Sequence, residues 1–193
     1  MRKLVYYVAV SVDGFIAGPS GEFDFYPAAP DMAAHQLAEY PETIPVQARP
    51  QLGLTDTPNK RFDTVLMGLG AYRPGLDAGI PSPYPHLTQY VVSSSLPAVD
   101  DPAVRLVRAD PLGLVRELKR QPGDGGDIWL CGGGLLAGQL LPEIDELVLK
   151  RYPVVAGGGI PAFAGPLRPR PFAPVETLDF SHGGTVTTYR PAG

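Results

Sequence analysis

Cysteine is nearly missing from this sequence: a single thiol, Cys131, rules out an internal disulfide framework. The three histidines, His35, His86 and His182, are dispersed, and no Cys and His cluster has metal-ligand spacing, so no metal site is expected. Charge of one sign is not in excess. Sixteen basic residues against 20 acidic ones leave a net charge of -4, which offers nucleic acid or an anionic membrane no long-range attraction. Long apolar runs are absent as well. The first, in Leu4 to Val10, stops at Ser11-Val12-Asp13-Gly14, short of signal-peptide or membrane-spanning length. These exclusions predict a soluble, cytoplasmic protein with neither nucleic acid nor membrane as a partner.

What remains is the material of one α/β domain over residues 1–193, since 44% hydrophobic composition is enough to fill one core. Residues 3–10, rich in Val and Tyr, read as a buried first strand, and 31–40 as a short helix through Met32, Leu37 and Tyr40. Residues 41–60 carry Pro41, Pro45, Pro50 and Pro58 and are read as an irregular excursion, either a functional flap or a surface insertion. Further strands are predicted at 64–67, 90–92, 104–107, 127–131 and 146–151, with helices at 111–120 and 133–141. That alternation predicts parallel strands. The chain then closes differently: 175–180 and 185–190, separated by Ser181-His182-Gly183-Gly184, read as an antiparallel hairpin, so the sheet is mixed.

Cys131-Gly132-Gly133-Gly134 runs from a strand into an apolar helix through residues without side chains. Free amides at a helix start favour an anion, and missing Cβ atoms let a pyrophosphate come close. Three glycines also make a tight turn, and the residues alone leave both readings open. Neither the G-x-G-x-x-G spacing nor a Walker lysine is present. Gly157-Gly158-Gly159 is followed by Ile160-Pro161, which blocks a helix, and reads as a structural turn.

Several landmarks occur in one order: Ser11-Val12-Asp13-Gly14-Phe15-Ile16-Ala17, Asp63-Thr64-Val65-Leu66-Met67-Gly68, Tyr90-Val91-Val92-Ser93, Ile128 to Gly134, Ile144-Asp145-Glu146-Leu147 and Val154 to Pro161. In this set the chain resembles dihydrofolate-reductase-like proteins related to the C-terminal reductase domain of the bifunctional riboflavin-biosynthesis deaminase-reductase. The resemblance implies a three-layer fold with helices on both faces of a mostly parallel sheet, a homodimer, and NADPH as cofactor, with NADH an alternative. It implies that the backbone at Ala9, Ile16 and Ala17 holds the nicotinamide. Gly68 and Leu69 would then meet the cofactor phosphates, Cys131, Gly132, Gly133, Gly134, Leu135 and Leu136 the pyrophosphate, and Ser93 and Ser94 the adenosine. Relatives commonly place Arg or Lys where this chain has Leu69, and Thr where it has Ala71. A cation there would pair with the 2′-phosphate, and Arg73 is its nearest substitute.

The activity implied is reduction of a small heterocyclic substrate, the nearest being 5-amino-6-(5-phosphoribosylamino)uracil reduction in riboflavin biosynthesis. The His and paired-Cys zinc signature of the deaminase is absent from these residues. Dihydrofolate reduction and a non-catalytic nucleotide-binding role are the rival readings. Hydride transfer asks the protein mainly to orient and to supply a proton. Asp31 is the candidate acid, by analogy with the substrate-binding carboxylate of related reductases, or else a solvated helix N-cap. Asp13 is read as shaping its turn. Cys131 and Trp129 are read as buried packing residues.

Overall fold

Strand β1 (Leu4–Val10) sends Val5 and Tyr7 to one side and Leu4 and Tyr6 to the other, and both sets are buried. Burial on both faces is the mark of a central parallel strand. The structure, a computed structural model, describes residues 1–121 and 125–193. Its other strands are β2 (Phe15–Ala17), β3 (Phe62–Gly68), β4 (Thr88–Val92), β5 (Val104–Val107), β6 (Asp127–Gly132), β7 (Glu146–Arg151), β8 (Ile160–Pro161), β9 (Phe172–Asp179) and β10 (Thr185–Pro191). The helices are α1 (Pro30–Glu39), α2 (Leu69–Asp77), α3 (Pro111–Arg120) and α4 (Gly134–Leu140). None of the described helices is long and apolar enough to cross a membrane.

Eight strands form one sheet in the order β5-β4-β3-β6-β1-β7-β10-β9. The first six are parallel, and β10 pairs antiparallel with both β7 and β9, as the closing hairpin requires. Met32 of α1 and Tyr72 of α2 pack with Val5, Tyr7, Val65, Met67 and Trp129 on one face. On the other face Val115 and Leu118 of α3 and Leu136, Ala137 and Leu140 of α4 pack with Leu4, Tyr6, Leu66 and Leu130. The expected three layers are therefore present.

Element positions agree with the sequence reading to within a few residues, but two features differ. β2 and β8 pair into a small separate antiparallel sheet, which sequence did not predict because strands of two and three residues carry no periodicity. The proline-bearing excursion proves to be a stitched insertion. Buried Arg49 donates to the carbonyls of Pro41, Leu54 and Thr57, and buried Glu42 accepts the amides of Lys60, Arg61 and Phe62. Since α1 returns the chain to the amino-terminal end of the strands, this insertion lies away from their carboxyl ends, and the flap reading is dropped.

Candidate functional site

The connections define where a ligand fits. From β1 the chain crosses through α1 to β3, whereas from the neighbouring strand β6 it crosses through α4 to β7 on the opposite side. Where adjacent strands send their connections apart, the carboxyl ends leave a crevice, the usual ligand site of an open α/β sheet. Here the crevice is deepened by splaying. β1 pairs with β7 to its end, Val10 opposite Arg151, but its ladder with β6 stops at Tyr6 opposite Leu130.

Backbone parity then fixes what faces the gap. The carbonyls of Leu4 and Val10 accept from Asp145 and Tyr152 on the β7 side, while those of Lys3 and Tyr7 accept from Ile128 and the Trp129 indole on the β6 side. Ala9 shares the parity of Tyr7, so its amide and carbonyl point into the opening. Backbone groups so placed can hydrogen-bond a ligand in the opening.

The two glycine-led helix starts meet beside the crevice. A Cβ built on Gly68 would lie 3.2 Å from the Gly133 amide nitrogen, so the turns entering α2 and α4 are in backbone contact. The three glycines of the run have different tasks. Gly132 has φ +140, which L side chains rarely adopt. Gly134 lies beneath the Pro161 carbonyl, where a Cβ would overlap. Only Gly133 faces space with nothing within 4 Å of its would-be Cβ. The close approach of a phosphate is therefore possible at Gly133, beside first-turn amides that have no intrahelical acceptor. Leu135, next to it, is 70% exposed, and Val12 and Val155 are exposed apolar residues on loops joined by the Val12 amide donating to the Val154 carbonyl. Three apolar side chains thus stand exposed on the segments that leave the carboxyl ends of β1, β6 and β7.

Further along the same edge, Ser93 is buried and its hydroxyl accepts the amides of Ser95 and Leu96, so it shapes the loop after β4; Ser94 is exposed. Leu69 opens α2, and Arg73 is exposed one turn on, with no hydrogen bond or ion pair among the described residues. Arg108 at the end of β5, which sequence reasoning passed over, is a second rim cation, donating to the carbonyls of Leu96 and Pro97.

Ile16 and Ala17 lie on β2, whose partner β8 follows the second glycine run. Asp13 locks these loops: it accepts from Ser11 Oγ and from the amides of Ala156 and Gly157, and those hydrogen bonds bring its carboxyl down to about 2. Gly159, with φ +134, sits so close to the Ala17 carbonyl that a Cβ would overlap it, which makes the second run the structural turn expected.

Asp31 lies at the start of α1. Its carboxylate accepts the amides of Ser181 and Met32, which hold it below the usual carboxylate range, with His182 Nδ1 at 3.8 Å. It fastens α1 to the β9–β10 turn, while the adjacent Met32 is the residue turned in to the core. Cys131 lies at the end of β6, and burial pushes its thiol up to about 12, leaving it unreactive.

Sequence reasoning also missed Lys150. It stands opposite Ala9 on β7, and its Nζ donates to Gln36 Oε1 at 2.9 Å and lies 4.7 Å from the Tyr7 ring centre.

A family model for the RibD C-terminal domain matches residues 2–183. The chain belongs to that family. Among its relatives are the uncharacterized Bacillus subtilis proteins YwjB, 29% identical over 84% of this chain and 83% of that one, and YyaP, 29% identical over 97% and 94%. Three solved structures share the fold of this RibD C-terminal domain. A Shewanella sp. PV-4 protein whose name assigns it to riboflavin biosynthesis superposes with TM-score 0.73 at 23% identity, covering 100% of both chains. Enterococcus faecalis dihydrofolate reductase, complexed with NADP(H) and an inhibitor named RAB-propyl, gives 0.67 at 15% identity, covering 99% and 97%. The Thermotoga maritima diaminohydroxyphosphoribosylaminopyrimidine deaminase/5-amino-6-(5-phosphoribosylamino)uracil reductase gives 0.64 at 16% identity, covering 99% of this chain and 57% of that one. The fold is dihydrofolate-reductase-like.

Proposed function

We propose that this protein is an NADPH-dependent reductase of a small polar molecule that carries a C=N or C=O bond. The observation that carries this reading is the splayed crevice between β1 and β6, with the unobstructed Gly133 beside it. Family membership supports it, as does the NADP(H) bound by the Enterococcus neighbour. The fit of a dinucleotide is a matter of room: Gly133 offers a cradle that a side chain would fill.

In this reading the Ala9 backbone holds the carboxamide, and Ile16 and Ala17 cover the nicotinamide from the β2 side. Amides of Gly68, Leu69 and Gly132 to Leu136 meet the phosphates. Ser93 and Ser94 border the adenosine, and Arg73 supplies the cation for the 2′-phosphate that Leu69 does not. A reduced nicotinamide, when bound, supplies hydride. The protein orients both partners in the crevice and keeps water out through the apolar rim of Val12, Leu135 and Val155.

Dihydrofolate reduction is the weaker assignment, because the carboxylate that would grip a pterin is spent at Asp31 on two backbone amides. The riboflavin-pathway pyrimidine is the first substrate to try. The test is fluorescence titration with NADPH and NADH. Saturable binding, tighter for NADPH, is expected; no saturable binding of either nucleotide at millimolar concentration overturns the reading.

A further inference from the structure

We propose that Lys150 is the residue that meets the substrate: its ammonium holds the oxygen or nitrogen of the polarised double bond and gives it a proton as the carbon is reduced, with Gln36 as its positioning residue. This rests on the reductase reading above and names the proton source that reading lacks.

Placement comes first. Lys150 pairs with Ala9 on one side and Val186 on the other, so it projects from the middle of the sheet at the carboxyl end of β7. It lies on the face of Tyr7 and Met32, the same face as Cys131 of β6, the strand beyond β1 across the splay. It is surrounded by protein yet keeps partial contact with solvent, which is how a cleft wall looks. Ala9, beside it, carries only a methyl group and leaves the space between open.

An ammonium has three protons to donate. One goes to Gln36 Oε1, the Tyr7 ring face takes part of the charge, and no carboxylate pairs with it among the described residues. Retaining a cation without a carboxylate in such surroundings costs far more than an apolar residue would, and one amide hydrogen bond and one ring face offset only part of that. An unspent donor near the carboxyl end of the sheet, where a ligand fits, is a functional candidate by its chemistry. Nearby, Tyr7 is 3% exposed, and among the described residues neither its hydroxyl nor either ring nitrogen of His182 has a hydrogen-bond partner. A ligand with both donor and acceptor atoms can meet the hydroxyl and the two ring nitrogens, since an unprotonated imidazole donates from one nitrogen and accepts at the other.

The chemistry balances. Carbon gains a hydride from the reduced nicotinamide, the π pair moves to oxygen or nitrogen, and one Nζ proton passes to that atom. The neutral amine then regains its proton from solvent at the cleft mouth. Burial lowers Lys150 to about 8, partly opposed by the Cys131 thiol, so at neutral pH it is still charged but a far better acid than a free lysine. Around it Tyr7 on β1, Tyr84 before β4 and Cys131 on β6 are all pushed up by burial and stay neutral there. The other titratable groups nearby are Tyr152 just after β7, raised by burial, His35 on α1, His182 in the hairpin turn, and Asp31, which is already paired.

The experiment has two arms. The first needs no nucleotide: 4-nitrobenzaldehyde and cyanoborohydride at pH 7, followed by peptide mass spectrometry, read which of the four lysines meets a carbonyl. A pKa near 8 gives a neutral fraction at pH 7 roughly 200-fold larger than a surface lysine has, so Lys150 is expected to label at least about tenfold faster than Lys3, Lys60 or Lys119. Equal labelling overturns the proposal. The second arm compares Lys150→Met, Lys150→Arg and Gln36→Leu with the parent chain. Nucleotide affinity is expected to stay within about twofold. Reduction of the aldehyde should fall roughly 100- to 10,000-fold in Lys150→Met, which should also lose the drop in rate above about pH 8. Lys150→Arg should push that limb to higher pH, and Gln36→Leu should move it lower. An unaltered rate and pH profile in Lys150→Met overturns the proposal. Loss of nucleotide binding by the parent chain sinks the reductase reading instead, leaving the labelling arm to decide the carbonyl contact.

Discussion

The Asp13 carboxylate accepts the Gly157 amide at 2.8 Å across 144 positions of sequence, tying the loop after β1 to the loop after β7. One side chain thereby sets how the two loops stand over the crevice. Asp13→Asn keeps one acceptor but loses the charge, and amide exchange at Ala156 and Gly157 should rise several-fold while the sheet amides stay protected. Because the folded carboxyl is held near 2, the tie is intact above the ordinary aspartate range and is lost as pH falls through about 2. Loop exchange measured between neutral and acidic pH should follow that course.

Gly133 and Gly134 should respond oppositely to the same change. Gly134→Ala drives a Cβ into the Pro161 carbonyl and should cost about 1–3 kcal/mol of stability by thermal melting. At Gly133 a Cβ meets no atom within 4 Å, so the melting temperature of Gly133→Asp should hold while nucleotide binding is abolished. Unchanged nucleotide affinity in Gly133→Asp refutes the phosphate placement.

Coenzyme choice turns on the opening of α2. Leu69→Arg should raise the preference for NADPH over NADH by roughly tenfold, the equivalent of one charge-assisted hydrogen bond of about 1.4 kcal/mol. Arg73→Ala should lower it by a similar factor. The ratio of the two dissociation constants is the measurement, and a ratio that neither variant moves places the 2′-phosphate elsewhere, Arg108 being the next cation on that edge.

Glu146 is the buried acceptor for Arg61, Arg190 and Lys3. Burial alone would raise its carboxyl, but the hydrogen bond and charge of Arg61, with Arg190 and Lys3, hold it below the ordinary glutamate range. Its contribution is thus present above that range and is lost as pH falls below it. Glu146→Ala should cost about 3 kcal/mol in chemical denaturation, the low end for breaking a buried pair, because Lys3 and Arg190 are half in water. Nucleotide affinity should not change, since this network lies at the opposite end of the strands.

Much of this was legible because it is local. Strand-to-glycine-to-helix at 127–140 and the closing hairpin are written in adjacent residues, and both appear where expected. The division of labour within Gly132-Gly133-Gly134 is not local, since it depends on the Pro161 carbonyl and on the turn at Gly68. Asp31 was recognised as a helix-start acid, but its partner Ser181 is 150 positions away, and that partner decides its task. Lys150 was invisible for the same reason. In Glu146 to Arg151 it reads as an ordinary charge at a strand end, and only the register against Ala9 and the approach of Gln36 bury it.

The early end of the β1–β6 ladder also has a mechanical meaning. Past Tyr6 and Leu130 the two halves of the sheet share no backbone bonds, so the molecule has a seam running in from its carboxyl edge. A molecule that touches Ala9 or Lys150 on one side and Gly133 on the other acts as a clasp across that seam. Binding therefore gives the protein a fastening that its own backbone withholds, and the tightening should be felt most by the strands on either side of the gap.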